Sequence, residues 1–352
     1  MISMFTRLKR KTIPTYALAF GLVCASWSAT SLLGADGATR VKLATLAPRG
    51  TSPHKILAVM GEKWRNDSGG RVVVTIYPDG VMGGEAETVR RMRMGQLQAA
   101  MLSVTGLAEI DKSVTALQNM PLMFRSLDEV AFVREKLRED LEKRFLEKGF
   151  VVLFWGDVGW VRIFSKQPLA HPDDLKKMKL FTWAGDPEQK ELMEELGLHP
   201  VPLETTDILT GLSTGMIDAV PAPPFIALAG QFYGPCRHII ELNYAPLVGG
   251  TVITKKAWDS IPSDLRPALL RAAAEAGEQI TARNRAESDE AVEAMKKRGL
   301  KVQAVSLQLE AEWRQFVEVA YPKIRGGLVP AEMFDKVQRL LQDYRAKGAK
   351  GR

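Results

Sequence analysis

Between residues 155 and 186 the chain sets the large aromatic side chains of Trp155, Trp160, Phe181 and Trp183 near the one arginine of that stretch, Arg162, and near Asp157 and Asp186. Aromatic faces bury flat or apolar ligands, and a guanidinium is shaped to grip a carboxylate through two parallel hydrogen bonds. Asp157 and Asp186 have the chemistry to hold a cation, a hydroxyl or an amine. An aspartate beside a turn more often caps backbone N–H groups, and capping is the reading adopted for both. Trp155 and Phe181 read as strand core, whereas Trp160 and Trp183 adjoin turns at Gly159 and Ala184-Gly185 and stand equally well as cleft residues. Strand alternation points Arg162 to the same side as Trp160; a surface role for Arg162 is the competing reading.

Other polar and apolar groups complete the candidate set. Ser103 and Thr105 follow an apolar strand and must turn at its carboxyl end, where loops of open α/β sheets meet ligands. Arg49, Thr51, Ser52 and His54 follow the first strand, with helix capping by Thr51 or Ser52 as the plainer role. Pro221, Ala222, Pro223, Pro224 and Phe225 form an apolar wall or a rigid connection, and Gln231 with Phe232 and Tyr233 borders the second lobe.

Catalytic and cofactor signatures are absent from the sequence. The four histidines, His54, His171, His199 and His238, have no metal-ligand spacing. There is no Gly-x-Ser-x-Gly elbow, and the Gly80–Gly84 turn lacks the lysine and serine of a phosphate loop. The expectation is a protein that is not an enzyme and uses no cofactor or metal.

The first 35 residues read as an export signal. Arg7, Lys9, Arg10 and Lys11 precede a mostly apolar run from Tyr16 to Leu33, which ends in Gly34-Ala35. An uncleaved membrane anchor is the alternative, weakened by the serines and threonine in the run. Removing those four cations takes the formal net charge from +7 to +3. With no basic block interleaved with aromatics, nucleic acid is not an expected partner. Cys236 is then the sole cysteine, which excludes an intramolecular disulfide, so a core must hold the exported domain.

Strands and helices alternate along the rest. Val41–Leu46, Val72–Tyr77, Ala99–Ser103, Val151–Trp155, Lys179–Thr182, Val201–Leu203 and Thr251–Thr254 read as strands. His54–Trp64, Glu85–Met94, Gln189–Leu196, Ile208–Gly215, Pro262–Met295 and Ala331–Arg345 read as helices. Such alternation predicts an α/β protein of two lobes with mixed, mainly parallel sheets and long C-terminal helices. Residues 36–158 and 250–285 are assigned to the first lobe, and 159–249 and 286–352 to the second with the bridging and C-terminal helices.

A series of short motifs in order carries a family resemblance. Val81-Met82-Gly83-Gly84-Glu85, Arg91-Met92-Arg93-Met94-Gly95, Met120-Pro121-Leu122, Pro172-Asp173-Asp174-Leu175-Lys176, Pro200-Val201-Pro202-Leu203, Leu212-Ser213-Thr214-Gly215-Met216-Ile217-Asp218 and Ile261-Pro262 together resemble the substrate-binding subunits of tripartite ATP-independent periplasmic (TRAP) transporters. The resemblance implies a periplasmic binding protein, monomeric, that closes two lobes on a small-molecule ligand and works with integral membrane subunits. It also marks departures. Most members carry arginine where this chain has Phe181, a second arginine where counting lands on Trp160, and asparagine at Ala222.

Those replacements predict an uncharged or weakly polar ligand with apolar or aromatic surface, contacted by Trp160, Arg162, Phe181, Trp183, Asp186, Ser103, Thr105, Pro221, Ala222 and Gln231. The alternative is an organic acid held by Arg162 or Arg49. A ligand-sensing binding protein and a periplasmic α/β enzyme remain as lesser readings.

Overall fold

The computed structural model describes residues 37–350; the expected leader lies outside the described residues. In chain order the elements are β1 (Thr39–Thr45), α1 (Ser52–Asp67), β2 (Val72–Tyr77), α2 (Glu85–Arg93), β3 (Ala99–Ser103), α3 (Val104–Ala108), α4 (Leu127–Glu147) and β4 (Phe150–Ser165). There follow α5 (Pro172–Leu175), β5 (Lys179–Trp183), α6 (Pro187–Glu195), β6 (His199–Leu203), α7 (Ile208–Thr214), β7 (Ala219–Ala222), α8 (Pro224–Ala229) and β8 (His238–Thr254). The chain ends with α9 (Lys255–Asp259), α10 (Arg266–Lys296), β9 (Lys301–Gln303), α11 (Leu307–Glu318), α12 (Tyr321–Ile324) and α13 (Ala331–Lys350).

The strands join in one path, β2-β1-β3-β8-β4-β7-β5-β6, with β9 alongside β8. Pairs β1·β2, β1·β3, β5·β6, β5·β7 and β8·β9 are parallel, and those made by β4 and by β8 with β3 are antiparallel. This is the expected two-lobed, mixed and mainly parallel α/β fold. What spacing did not reveal is the length of β4 and β8, 16 and 17 residues, which run through both lobes. Their pairing slips at Val152/Phe154, Asp157/Gly159 and Val161/Ile163. The first two slips each add one residue to β4 and the third adds three to β8; such irregularities raise the local twist, so a single pair of strands turns from one lobe into the other.

Helix α4 shows why these segments fold where they do. The Ser126 hydroxyl accepts the Glu129 N–H at 3.1 Å, and Asp128 and Glu129 sit in the first turn. Val130, Val133, Leu137, Leu141 and Phe145 then recur at helical spacing on the buried face. Helix α10 is 31 residues long, about 46 Å at 1.5 Å per residue. Its Leu269, Ala272, Ala273 and Ala276 pack with α1 and β1, while Ala291 and Met295 pack with Phe164, Val220 and Ile239 of the second lobe. The helix therefore bridges the lobes. Small side chains let it lie close to the sheet; a Cβ on Gly277 would stand 2.6 Å from the Phe154 ring.

One expected assignment changes. Helix α13, grouped in sequence with the second lobe, buries Met333, Phe334, Val337 and Leu341 in the core that holds α4. The C-terminal helix thus returns to the first lobe, because its apolar face matches that of α4. Among the described residues no helix is long and apolar enough to cross a membrane.

Candidate functional site

Arg162 lies in β4 at the last register slip and opposite Ala222 of β7. Pairing of Leu180 with Ala219 sets the register of β7 against β5. Arg162 and Ala222 therefore form one row across β4 and β7, and β5, whose last residue is Trp183, is the next strand in the sheet. Directly after Ala222 come Pro223 and Pro224, which have no N–H to donate and open α8.

Within this row the arginine has a distinctive environment. Its Nε is buried and meets no hydrogen-bond partner among the described residues. A buried donor left unmatched costs about 1–3 kcal/mol, more when charged. Arg49, the other candidate cation, is in the opposite condition. It is exposed, its guanidinium lies 3.7 Å from Asp79, and its backbone N–H donates to the same carboxylate at 2.7 Å.

The aromatic residues divide between site and core. Trp183 is half-buried; its Nε1 donates to Thr205 Oγ1 at 3.1 Å, fixing the indole plane. Phe181 is only 2% exposed, packed with Phe164, Val220 and Ala222, and meets Trp183 edge-on with centroids 5.4 Å apart. As a proposed ligand contact it is corrected: its ring supports Trp183 from within the core. Trp160 is half-buried opposite Pro246 and packs against the core containing α4. Trp155 belongs to that packing too, edge-on to Phe145 and donating to Glu142 at 3.1 Å.

The two aspartates part company. Asp186 caps α6, accepting the Gln189 N–H at 2.9 Å, and burial pushes its carboxyl above the ordinary range. The capping reading of Asp157 is corrected. Its carboxylate is fully buried, takes two hydrogen bonds from Arg285 at 2.9 and 2.7 Å, and lies 3.4 Å from Arg134. Both oxygens are thereby engaged, which leaves no free acid for a ligand amine.

First-lobe candidates are largely occupied by structure. The Ser103 hydroxyl accepts the Thr105 N–H at 3.2 Å and donates to Glu85 Oε2 at 2.5 Å. Thr105 is half-buried in the first turn of α3. Thr51 occupies the N-cap position of α1 without a side-chain cap bond, Ser52 bonds Glu287, and His54 Nδ1 accepts the Gly50 N–H at 3.2 Å. Pro221 is half-buried opposite Ile163, and Gln231 is exposed in a left-handed turn (φ 59°) after α8.

Sequence reasoning missed Glu85 as more than a motif letter. Glu85 accepts the N–H groups of Ser103 and Gly106 at 2.6 and 3.0 Å and so caps α3 from another helix. Its position in Gly83-Gly84-Glu85 was visible, but a partner 18 residues away was not.

Comparison with known proteins places the chain among binding proteins. The family described as "Bacterial extracellular solute-binding protein, family 7" matches residues 43–326. The C4-dicarboxylate-binding periplasmic protein DctP of Rhodobacter capsulatus is 24% identical over 241 residues, 68% of this chain and 71% of that protein. The 2,3-diketo-L-gulonate-binding periplasmic protein YiaO of Escherichia coli is 25% identical over 237 residues, 66% of this chain and 71% of that protein. Among solved structures, a TRAP periplasmic solute-binding protein of Sulfurospirillum deleyianum with bound succinate superposes with a TM-score of 0.78 at 20% identity, covering 86% of this chain and 98% of that one.

Proposed function

Because the chain belongs to bacterial extracellular solute-binding protein family 7, we propose that it captures a small organic acid and passes it to the membrane subunits of a TRAP transporter, with Arg162 holding the carboxylate. The observation that carries this reading is the buried Arg162 Nε without a partner. A ligand carboxylate satisfies that donor and offers the guanidinium a two-point, charge-assisted contact. An uncharged ligand leaves it unmatched in a low-dielectric cleft, which replaces the apolar-ligand expectation with the organic-acid alternative. Relatives named for dicarboxylate and diketogulonate binding, and a structural neighbour holding succinate, support the same class.

The two candidate cations are not equivalent. Arg49 already has Asp79 and is solvated, so a carboxylate gains little from it. Half-buried Trp183 and Trp160 are left to pack the ligand's carbon frame, and half-buried Pro221 supplies an apolar border. Closure of the lobes exchanges water for these contacts, and the ligand favours the closed form by the contacts it makes only there.

A thermal-shift panel of aliphatic dicarboxylates, sugar acids, aromatic monocarboxylates and their uncharged amides tests this. Stabilisation by acids and not by the matched amides is the expected result. Equal stabilisation by an acid and its amide, unchanged in Arg162→Ala, would overturn it.

A further inference from the structure

Trp183, the half-buried wall of the candidate site, is held in two different ways. Phe181 meets its ring edge-on from the core, and at 2% exposure that support does not depend on the state of the cleft. The second hold is polar: Trp183 Nε1 donates to Thr205 Oγ1 at 3.1 Å, and Thr205 opens the short Thr205–Asp207 turn after β6.

Both chain neighbours of Thr205 reach the other lobe. The Glu204 carboxylate lies against Gly84, where a Cβ would stand 3.1 Å from Glu204 Cδ. Gly84 has φ −64° and ψ 178°, a conformation open to any residue, so closeness of approach rather than backbone geometry suits glycine there. The contact falls at the amino end of α2, which favours a carboxylate. On the other side of Thr205, the Thr206 methyl would stand 3.2 Å from a Cβ on Gly80. The turn after Trp183 rests on the same first-lobe segment: a Cβ on Gly185 would stand 3.9 Å from Ala86 Cβ. Just beyond it, Glu188 of α6 pairs with Lys112.

Residues 80–86 follow β2 at one end of the sheet path, and residues 204–206 follow β6 at the other. These contacts therefore join the lobes across the mouth of the cleft. Glu204, Thr206, Gly185 and Ala86 are exposed, so opening parts them without uncovering a core.

We propose that Thr205 is a positioning residue for the ligand: closure seats residues 204–206 on the first lobe, and the seated Thr205 hydroxyl fixes the Trp183 indole in the plane that packs the ligand. In the open protein the turn is unseated and Trp183 keeps only its support from Phe181. First-lobe residues 80–86 thus act on the ligand at second hand, through Thr205 and the Gly185 turn. An indole set only on closing makes its full contact only in the closed form, and such differential contacts are what let a ligand favour that form. The role of Thr205 rests on Trp183 packing the ligand, as proposed above. The experiment uses no ligand, so a cleft that takes no organic acid and a Thr205 that does not hold Trp183 give separate results.

Ala86→Cys with Gly185→Cys places two exposed Cβ atoms 3.9 Å apart, within the span of a disulfide, while Cys236 stays buried. Oxidation should lock the ligand-free protein closed, as counted by loss of free thiols. With 5-fluorotryptophan incorporated, the fluorine resonance of Trp183, assigned by its loss in Trp183→Phe, reports the indole. It should shift on oxidation and narrow about twofold or more, as motion slower than nanoseconds is quenched, and reduction should reverse both changes. Thr205→Val, which keeps the shape but not the acceptor, should still cross-link yet leave the Trp183 line broad. Thr205→Ser should restore the response. Failure of the cysteines to cross-link, a Trp183 line indifferent to the lock, a Thr205→Val line that narrows as the parent does, or a Thr205→Ser line that stays broad would overturn the assignment.

Discussion

Asp157 and Arg285 face each other as a two-point ion pair, Arg285 Nε to Oδ1 at 2.9 Å and Nη2 to Oδ2 at 2.7 Å, at the slip where β4 leaves the first lobe. The partners are 128 residues apart in sequence, one on the crossing strand and one on the bridging helix. Around them Thr281, Asn284 and Ser288 of α10 lie 3.4–3.5 Å from the backbone of Asp157 and Val158. Those side chains recur at helical spacing, so one stripe of α10 serves the polar backbone that the slip leaves unpaired.

Breaking this pair should be costly. Asp157→Ala leaves Arg285 and Arg134 without their acid, and the expected loss is about 3–5 kcal/mol by chemical denaturation. The double change Asp157→Leu with Arg285→Met should cost less than the sum of the single changes, because only Arg134, and no longer Arg285, is left without its acid. Additive losses would show that the pair is not coupled.

Arg162→Ala should separate binding from stability. Affinity for the best acid of the panel should fall about 10- to 100-fold by calorimetry, the worth of a charge-assisted contact. The ligand-free melting temperature should hold or rise, since an unmatched buried donor has gone. Arg49→Ala should change affinity by no more than about twofold, as expected for an exposed surface pair.

Phe181 and Trp183 touch, yet they should behave differently. Phe181→Ala empties a core position and should lower stability by about 3–5 kcal/mol. Trp183→Phe keeps a ring beside Phe181 but loses the bond to Thr205, for about 0.5–1.5 kcal/mol. Trp183→Ala should weaken ligand binding more than it weakens the fold, as judged by paired calorimetry and melting curves.

Cys236 should be inert in the native protein. It is buried, and burial pushes its thiol up to about 12. At about pH 8 a disulfide reagent should react only after denaturant is added, because the thiolate is the reactive form. Rapid native labelling would show that α8 and the turn after it open readily.

Local chemistry made much of the architecture legible. The apolar runs at Val72–Tyr77 and Lys179–Thr182 and the capped, periodic helices are properties of short stretches, and they survive in the fold. The ordered motifs, from Gly83-Gly84-Glu85 to Ile261-Pro262, pointed to the family, and the profile match over residues 43–326 agrees. Less legible were β4 and β8. Glycines 156, 159, 249 and 250 and the register slips interrupt their alternation, so each strand looked like short pieces.

The sequence by itself determined which segments become strands or helices and which side chains were available: Arg162 among aromatics, Cys236 as the one cysteine beyond the expected leader, Asp157 and Asp186. Only the tertiary structure decided their use. Strand pairing put Arg162 opposite Ala222, burial withdrew Phe181 into the core, and the bridging helix claimed Asp157. Glu204 met Gly84 because the two edges of one sheet curl towards each other. Each of these outcomes depends on distances between residues far apart in the chain, which local spacing does not encode.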